Sequence, residues 1–207
     1  MAARPNLALF LVILPWILWS AWRPFDRITW WLEVTPVFIG FIALAIGARR
    51  GWRFSTFVLV WLGLHMVLLL VGGHYTYALT PLGEWMKGWF GFTRNHYDRI
   101  GHLFQGIVPA LVCRELLIRH RVFARRGWLH FTVISFCMGF SACYELVEWA
   151  AALVSAEAAE SFLGTQGDGW DTQMDMFLAG VGSLIALFPL RPFHDRSIAA
   201  VARRQGP

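Results

Sequence analysis

The sequence predicts an all-α polytopic membrane protein, and three observations carry that prediction. Apolar residues gather in long runs: over 207 positions the chain is 57% hydrophobic and only 15% charged, with a mean hydropathy of +0.51. Soluble domains carry about 25% charged residues. Six of the runs are long enough to cross a hydrocarbon core about 30 Å thick, which takes roughly 17–25 helical residues. Arginine and lysine fall unevenly on the two sides of these runs, as they do in loops that set membrane orientation.

The first span is 7–22. Arg4 precedes it as in a signal peptide, but no small-x-small cleavage site follows, and Trp16, Trp19 and Trp22 form an interfacial belt. A retained span is the better reading. In the second, 29–47, Glu33 and Pro36 suggest a bend near the outer interface, with Glu33 paired to Arg23 or Arg27. The third, 54–73, carries His65 at mid-depth, read as a hydrogen bond between packed helices. Trp85, Met86, Trp89 and Phe90 then recur at helical spacing, so residues 82–92 are expected to form a short helix in the headgroup plane. The fourth span, 100–118, ends on Arg114 and Glu115, where Arg114 is expected to snorkel to the interface. The fifth is 128–150. The sixth, 171–190, presents Ala179, Gly180, Gly182 and Ser183 as a small-residue face for close packing. No internal repeat or soluble segment interrupts this pattern, so residues 1–207 read as a single integral membrane domain.

Thirteen basic residues fall at Arg4, at 49–53, at 114–126 and at 191–204, against five (Arg23, Arg27, Lys87, Arg94, Arg99) on the opposite side. That excess places both termini in the cytoplasm of a multi-pass protein of the bacterial inner membrane. Outward loops then run 23–28, 74–99 and 151–170. The net charge of +5 is accounted for by these topology determinants. The partner implied is a lipid bilayer, and nucleic acid is not expected. Cys113, Cys137 and Cys143 lie in apolar segments without CxxC spacing, so they read as buried small side chains with no disulfide.

Three polar clusters mark the outer ends of spans four, five and six. Asp98 and His102 are four residues apart and share a helical face, as do Asp171 and Asp175. Glu145 and Glu148 stand late in the fifth span, Glu145 about 25 Å along the axis from Trp128 at 1.5 Å per residue. That depth matches His102 and Asp175 counted from the other side. The aspartates also suit helix starts, where the dipole favours a carboxylate, with Thr93 or Asn95 as a cap of the fourth helix. Glu145 has no such explanation. A charge at the centre of a span costs at least about 2.5–3.5 kcal/mol, less near the interface, so it needs a partner such as Arg99, Arg94, a protonated histidine or a metal ion. His102, Glu145, Asp98 and Asp175 are therefore the primary candidates, with Asp98 orienting His102. Glu148, Asp171, His96, His74 and Arg99 form a second group. His120, His130 and His194 lie with the cytoplasmic arginines and need no special role. No calcium loop pattern occurs in the glycine-rich stretch 164–171. A divalent metal is the cofactor these donors admit, with His102, Glu145 and Asp175 as ligands.

These residues also carry a resemblance. From the first span to about Arg196 the chain resembles the YjdF-type family of uncharacterised bacterial inner-membrane proteins. The similarity rests on Gly72, Gly73, His74, Tyr75, Thr76 and Tyr77, on 94–102, on 144–149 and on 163–176. That family has no assigned activity, so the resemblance implies membrane location and no reaction. The second half is also similar to VanZ-like membrane proteins. There Asp98 with His102, Glu145 or Glu148, and Asp175 followed by Gly182 match the family's three elements. Ala179 stands where that pattern has Asn, and Trp149 where Gln is usual. This similarity implies a shared helical core and a link to envelope lipids or glycopeptide tolerance.

Three functions stay open on the sequence. The polar cluster is a non-catalytic lock between helices, or the site of an intramembrane metal- or acid/base-dependent enzyme acting on envelope lipids or lipid-linked headgroups. The third is a small proton- or cation-coupled transporter, although inverted halves and paired broken helices are not visible.

Overall fold

The computed structural model describes residues 4–154 and 166–205, which are helices joined by turns and short connections, with no strand among the described residues. Four helices are long and apolar enough to cross a membrane: α2 (Arg27–Arg49), α3 (Thr56–Tyr75), α5 (Tyr97–Arg119) and α6 (Arg126–Val154). α1 (Arg4–Ala21) is apolar but shorter. α7 (Asp171–Leu187) and α8 (Arg191–Gln205) meet at a 59° bend and together reach the length of a fifth span. α4 (Pro81–Phe90) is the short aromatic helix expected between the third and fourth spans. Trp85, Trp89 and Phe90 on it are exposed.

Local signals set several of these boundaries. Asp26 caps α2 by accepting from the Thr29 N–H at 2.6 Å. Pro81 opens α4 at a position where its missing N–H costs nothing, and Gly91 closes it in the left-handed region at φ +69°. The expected sixth span does not run straight through 171–190. α7 stops at Leu187 because Pro189 has no N–H to donate and clashes with the preceding turn. The chain restarts as α8 with Pro192 in its first turn.

The helices pack as two groups that meet along α3 and α5. Ile13, Trp30, Val34, Val37, Met66 and Leu70 join α1, α2 and α3. Val58, Ile107, Leu111, Val133, Cys137 and Leu187 join α3, α5, α6 and α7. α5 and α7 approach most closely. A Cβ on Gly182 would overlap the Leu103 carbonyl oxygen, and one on Gly106 the Ala179 carbonyl oxygen. Of the small-residue face read from the sequence, Ala179 and Gly182 therefore pack backbone to backbone against α5, whereas Gly180 faces Met138 of α6.

Some expectations need correction. Arg114 does not snorkel. It is buried, and donates from Nη2 to Asp195 at 2.5 Å and from Nη1 to His194 Nδ1 at 3.0 Å, because α8 folds back over the end of α5. Arginine can only donate, so His194 Nδ1 accepts and its Nε2–H donates to Glu115 Oε2 at 3.2 Å. His194 therefore has a structural role that its loop position hid. Glu115, fully buried, also accepts from the Ser55 N–H at 2.8 Å and from Arg119 at 2.9 Å. Of the cysteines, all free, Cys137 is buried, Cys113 half-buried and Cys143 exposed.

Candidate functional site

The first two turns of α5 supply Asp98 and His102 on one face, and the start of α7 supplies Asp171 and Asp175. Backbone contact at Gly106 and Gly182 presses those two faces together. α6 brings Glu145 from the side. All five side chains are buried. His102 sits at the centre. Its Nε2 lies 3.4 Å from Asp98 Oδ1 and 4.0 Å from Asp175 Oδ2, and its Nδ1 lies 3.8 Å from Glu145 Oε1. Asp98, His102 and Asp175 can each direct one donor atom so that all three lie within 4.8 Å of one another. His102 Nδ1 and Glu145 Oε1 are buried without a hydrogen-bond partner.

Two arginines close the side of this cluster nearest the ends of α5 and α7. Arg94, in the connection before α5, pairs with Asp171 at 2.6 Å and Asp168 at 3.2 Å. Arg99 pairs with Asp171 at 2.8 Å, Asp168 at 2.8 Å and Asp175 Oδ1 at 2.9 Å. Burial opposes the Arg94 charge, yet the hydrogen bond and field of Asp171 raise its pKa. At Asp168 the Trp170 N–H lowers the pKa, and Arg99 and Arg94 add to it. Asn95 fastens the connection. It exchanges hydrogen bonds with Gln166 at 2.8 and 2.9 Å, donates to the Thr80 carbonyl at 3.0 Å, and accepts from the Tyr97 N–H at 3.1 Å. The turn-rich stretch is thus tied over the cluster from Gln166 onward; Gly164 and Thr165 lie outside the described residues.

Inward of the cluster, a cavity of about 280 Å³ opens at the seam of the two helix groups. Its polar end carries Glu33, Asp98, His102, Tyr144 and Glu148, and its far end is apolar, with Val112, Phe136 and Phe140. Glu33 does not pair with Arg23 or Arg27. It is buried and accepts from the Tyr144 hydroxyl at 3.4 Å, which bridges α2 and α6 across the cavity. His65 also faces this space, and it joins α3 to α5 by a ring contact with Phe104 at 6.2 Å where a hydrogen bond was expected.

The structure thus brings together His102, Asp98, Asp175 and Glu145, with Arg99 and Asp171 at the rim and Glu148 in the cavity wall. His74 is not among them. It stacks on Trp19 at 4.3 Å, with Nδ1 3.1 Å from the Ser20 carbonyl oxygen, because α1 packs over the end of α3. His96 stands outside the cluster, edge-on to Phe92 at 4.4 Å. Its pKa is lowered by burial and by the nearby Arg94 and Arg99. The sequence reading missed Glu33, Tyr144 and the clamping role of Arg94. A carboxylate inside span two at the depth of the other acids was the available signal for Glu33.

Long apolar helices around a buried ionic cluster define a polytopic membrane protein. A family model described as "Predicted membrane protein (DUF2238)" matches residues 5–196, and the chain belongs to that family. It is 45% identical over 173 residues to the Inner membrane protein YjdF of Escherichia coli (strain K12), covering 84% of this chain and 82% of that protein. No solved structure matches.

Proposed function

We propose that the chain is a six-span protein of the bacterial inner membrane with both termini in the cytoplasm, whose buried cluster binds a divalent cation. The cation would serve acid–base chemistry on a lipid or lipid-linked headgroup at the periplasmic side. The observation that carries this reading is the convergence of one donor atom each from Asp98, His102 and Asp175 within 4.8 Å of one another, with His102 Nδ1 and Glu145 Oε1 buried behind them 3.8 Å apart, too far for a hydrogen bond. A cluster serving only to lock helices would be expected to close that gap into a hydrogen bond.

The donor set fits a cation. Asp175 keeps Oδ1 on Arg99 and turns Oδ2 towards His102 Nε2, which Asp98 also faces. With Nε2 as ligand, the other ring nitrogen carries the proton and has Glu145 as its acceptor, the usual arrangement behind a metal-bound histidine. Mixed imidazole and carboxylate donors suit zinc, manganese or ferrous iron. A bound ion would supply Lewis acidity or an activated water. Arg99 orients Asp175, Glu148 and Tyr144 stand where a headgroup would meet the cavity, and the apolar far end suits an acyl or isoprenoid chain.

Elemental analysis of the purified protein tests this reading. The wild type should retain close to one equivalent of a divalent metal, and Asp175→Asn and His102→Gln should lose it. Glu145→Gln should unfold near the wild-type temperature while losing metal or the cellular phenotype. Wild-type protein that neither retains nor takes up zinc, manganese or iron would refute the proposal. So would a phenotype that merely follows stability across Gln, Leu and Ala at position 145.

A further inference from the structure

A second groove, of about 610 Å³, opens at the far end of α2 and α5 from the cluster. Its walls are apolar, with Ala43, Leu44 and Ile46 on α2 and Val112 and Leu116 on α5. Its rim is basic, with Arg50, Arg53 and His120. Val112 also lines the cavity beside the cluster, so the apolar space of the two adjoins along the α2–α5 seam.

Two donors at the rim are buried without a hydrogen-bond partner, Trp52 Nε1 and Arg53 Nε. Trp52 is held rigidly. Its backbone N–H donates to the Gly47 carbonyl at 2.8 Å, its ring stacks on His120 at 4.7 Å, and the Arg119 guanidinium lies 3.8 Å from its centre. Glu115 engages Arg119, and Asp195 engages Arg114 and Arg191. No ion pair among the described residues involves Arg50 or Arg53. The rim therefore offers unneutralised charge and an idle indole N–H above an apolar trough.

We propose that this groove binds an anionic phospholipid. Its phosphate sits against Arg50, Arg53 and the Trp52 indole N–H, and one acyl chain lies between α2 and α5 towards Val112. Charge complementarity selects the headgroup, since basic residues at a membrane face attract anionic lipid. The trough selects a lipid over free phosphate: from Arg50 back to Ala43, α2 offers about 10 Å of wall at 1.5 Å per residue. This site is separate from the proposed cation site.

Native mass spectrometry and thermal unfolding of the full chain in detergent test it. The probes are phosphatidylglycerol, phosphatidylcholine of the same chains, and inorganic phosphate. Phosphatidylglycerol should stay bound at one per protein and raise the unfolding temperature, whereas phosphatidylcholine and phosphate should do neither. R50Q/R53Q should lower phosphatidylglycerol retention about tenfold or more while leaving metal content unchanged. Val112→Trp should lower retention by filling the trough, and Ala43→Phe replaces it if that variant does not fold. Equal retention of the two lipids, full stabilisation by phosphate alone, or wild-type retention by R50Q/R53Q would each overturn the proposal.

Discussion

His102 concentrates the electrostatics of the cluster because each of its ring nitrogens faces a carboxylate. The acids around it are held in place by Arg99, which reaches Asp168, Asp171 and Asp175 at once. Arg99→Gln should therefore destabilise the protein by about 3–5 kcal/mol, since removing one partner leaves buried charge uncompensated. Arg94 still pairs with Asp171, which keeps the loss towards the lower value. Thermal unfolding in a fixed detergent measures it, and an unchanged unfolding temperature would show that the clamp contributes nothing. His96 gives a pH effect of definite sign. Its pKa is lowered by burial and the two arginines, so below the unfolded value of about 6.5 the folded state binds fewer protons than the unfolded one. Its contribution is fully present above that pH and is lost as pH falls. The unfolding temperature should drop less between pH 7.5 and 5.5 in His96→Gln than in the wild type; equal drops would remove His96 from the account.

At the scale of elements, the contact between α5 and α7 sets the site. Gly182→Ala places a methyl group on the Leu103 carbonyl, which is backbone and cannot move aside. Overpacking of this kind costs about 1–3 kcal/mol. It also moves Asp175 away from His102, so metal retention should fall with stability. Gly180→Ala is the control. Its Cβ meets only the flexible end of Met138, and it should be close to neutral in both measurements. Glu115 holds α8 against α3 and α5 in the same determinate way. Glu115→Leu leaves the Ser55 N–H, His194 and Arg119 without their acceptor, a loss of about 1–3 kcal/mol or more, whereas Gln keeps part of it. Differential unfolding of the two variants decides this, and identical losses would mean that shape alone matters there.

For the whole molecule, α1 decides the topology. α2, α3, α5, α6 and the bent α7–α8 pair are long enough to make five crossings, so the termini share a side only if the shorter α1 crosses too. Ile13 of α1 is fully buried against α2 and α3, which supports a helix embedded in the bundle. Reporter fusions after Arg53, after Arg126 and at the C-terminus should read cytoplasm, and one at Leu79 should read periplasm. A C-terminus on the periplasmic side would defeat the six-span arrangement and reverse the side of the cluster.

Depth in the membrane is written along the chain, because each helical residue adds about 1.5 Å. For that reason the sequence alone placed Asp98, His102, Glu145 and Asp175 at one level, and spaced Trp85 and Trp89 along a short helix with an exposed aromatic face. It also marked the α7 glycines as a packing face. Rotation of each helix about its own axis, and the choice of neighbours, are not written that way. They follow from packing between residues far apart in sequence. Only the tertiary structure turned Glu33 towards Tyr144, aimed Arg94 and Arg99 at α7, sent His74 to Trp19 and folded His194 onto Glu115. The reach of Arg94 and Arg99 to α7 depends on backbones brought together at Gly106 and Gly182, where a single methyl group would have forced another arrangement.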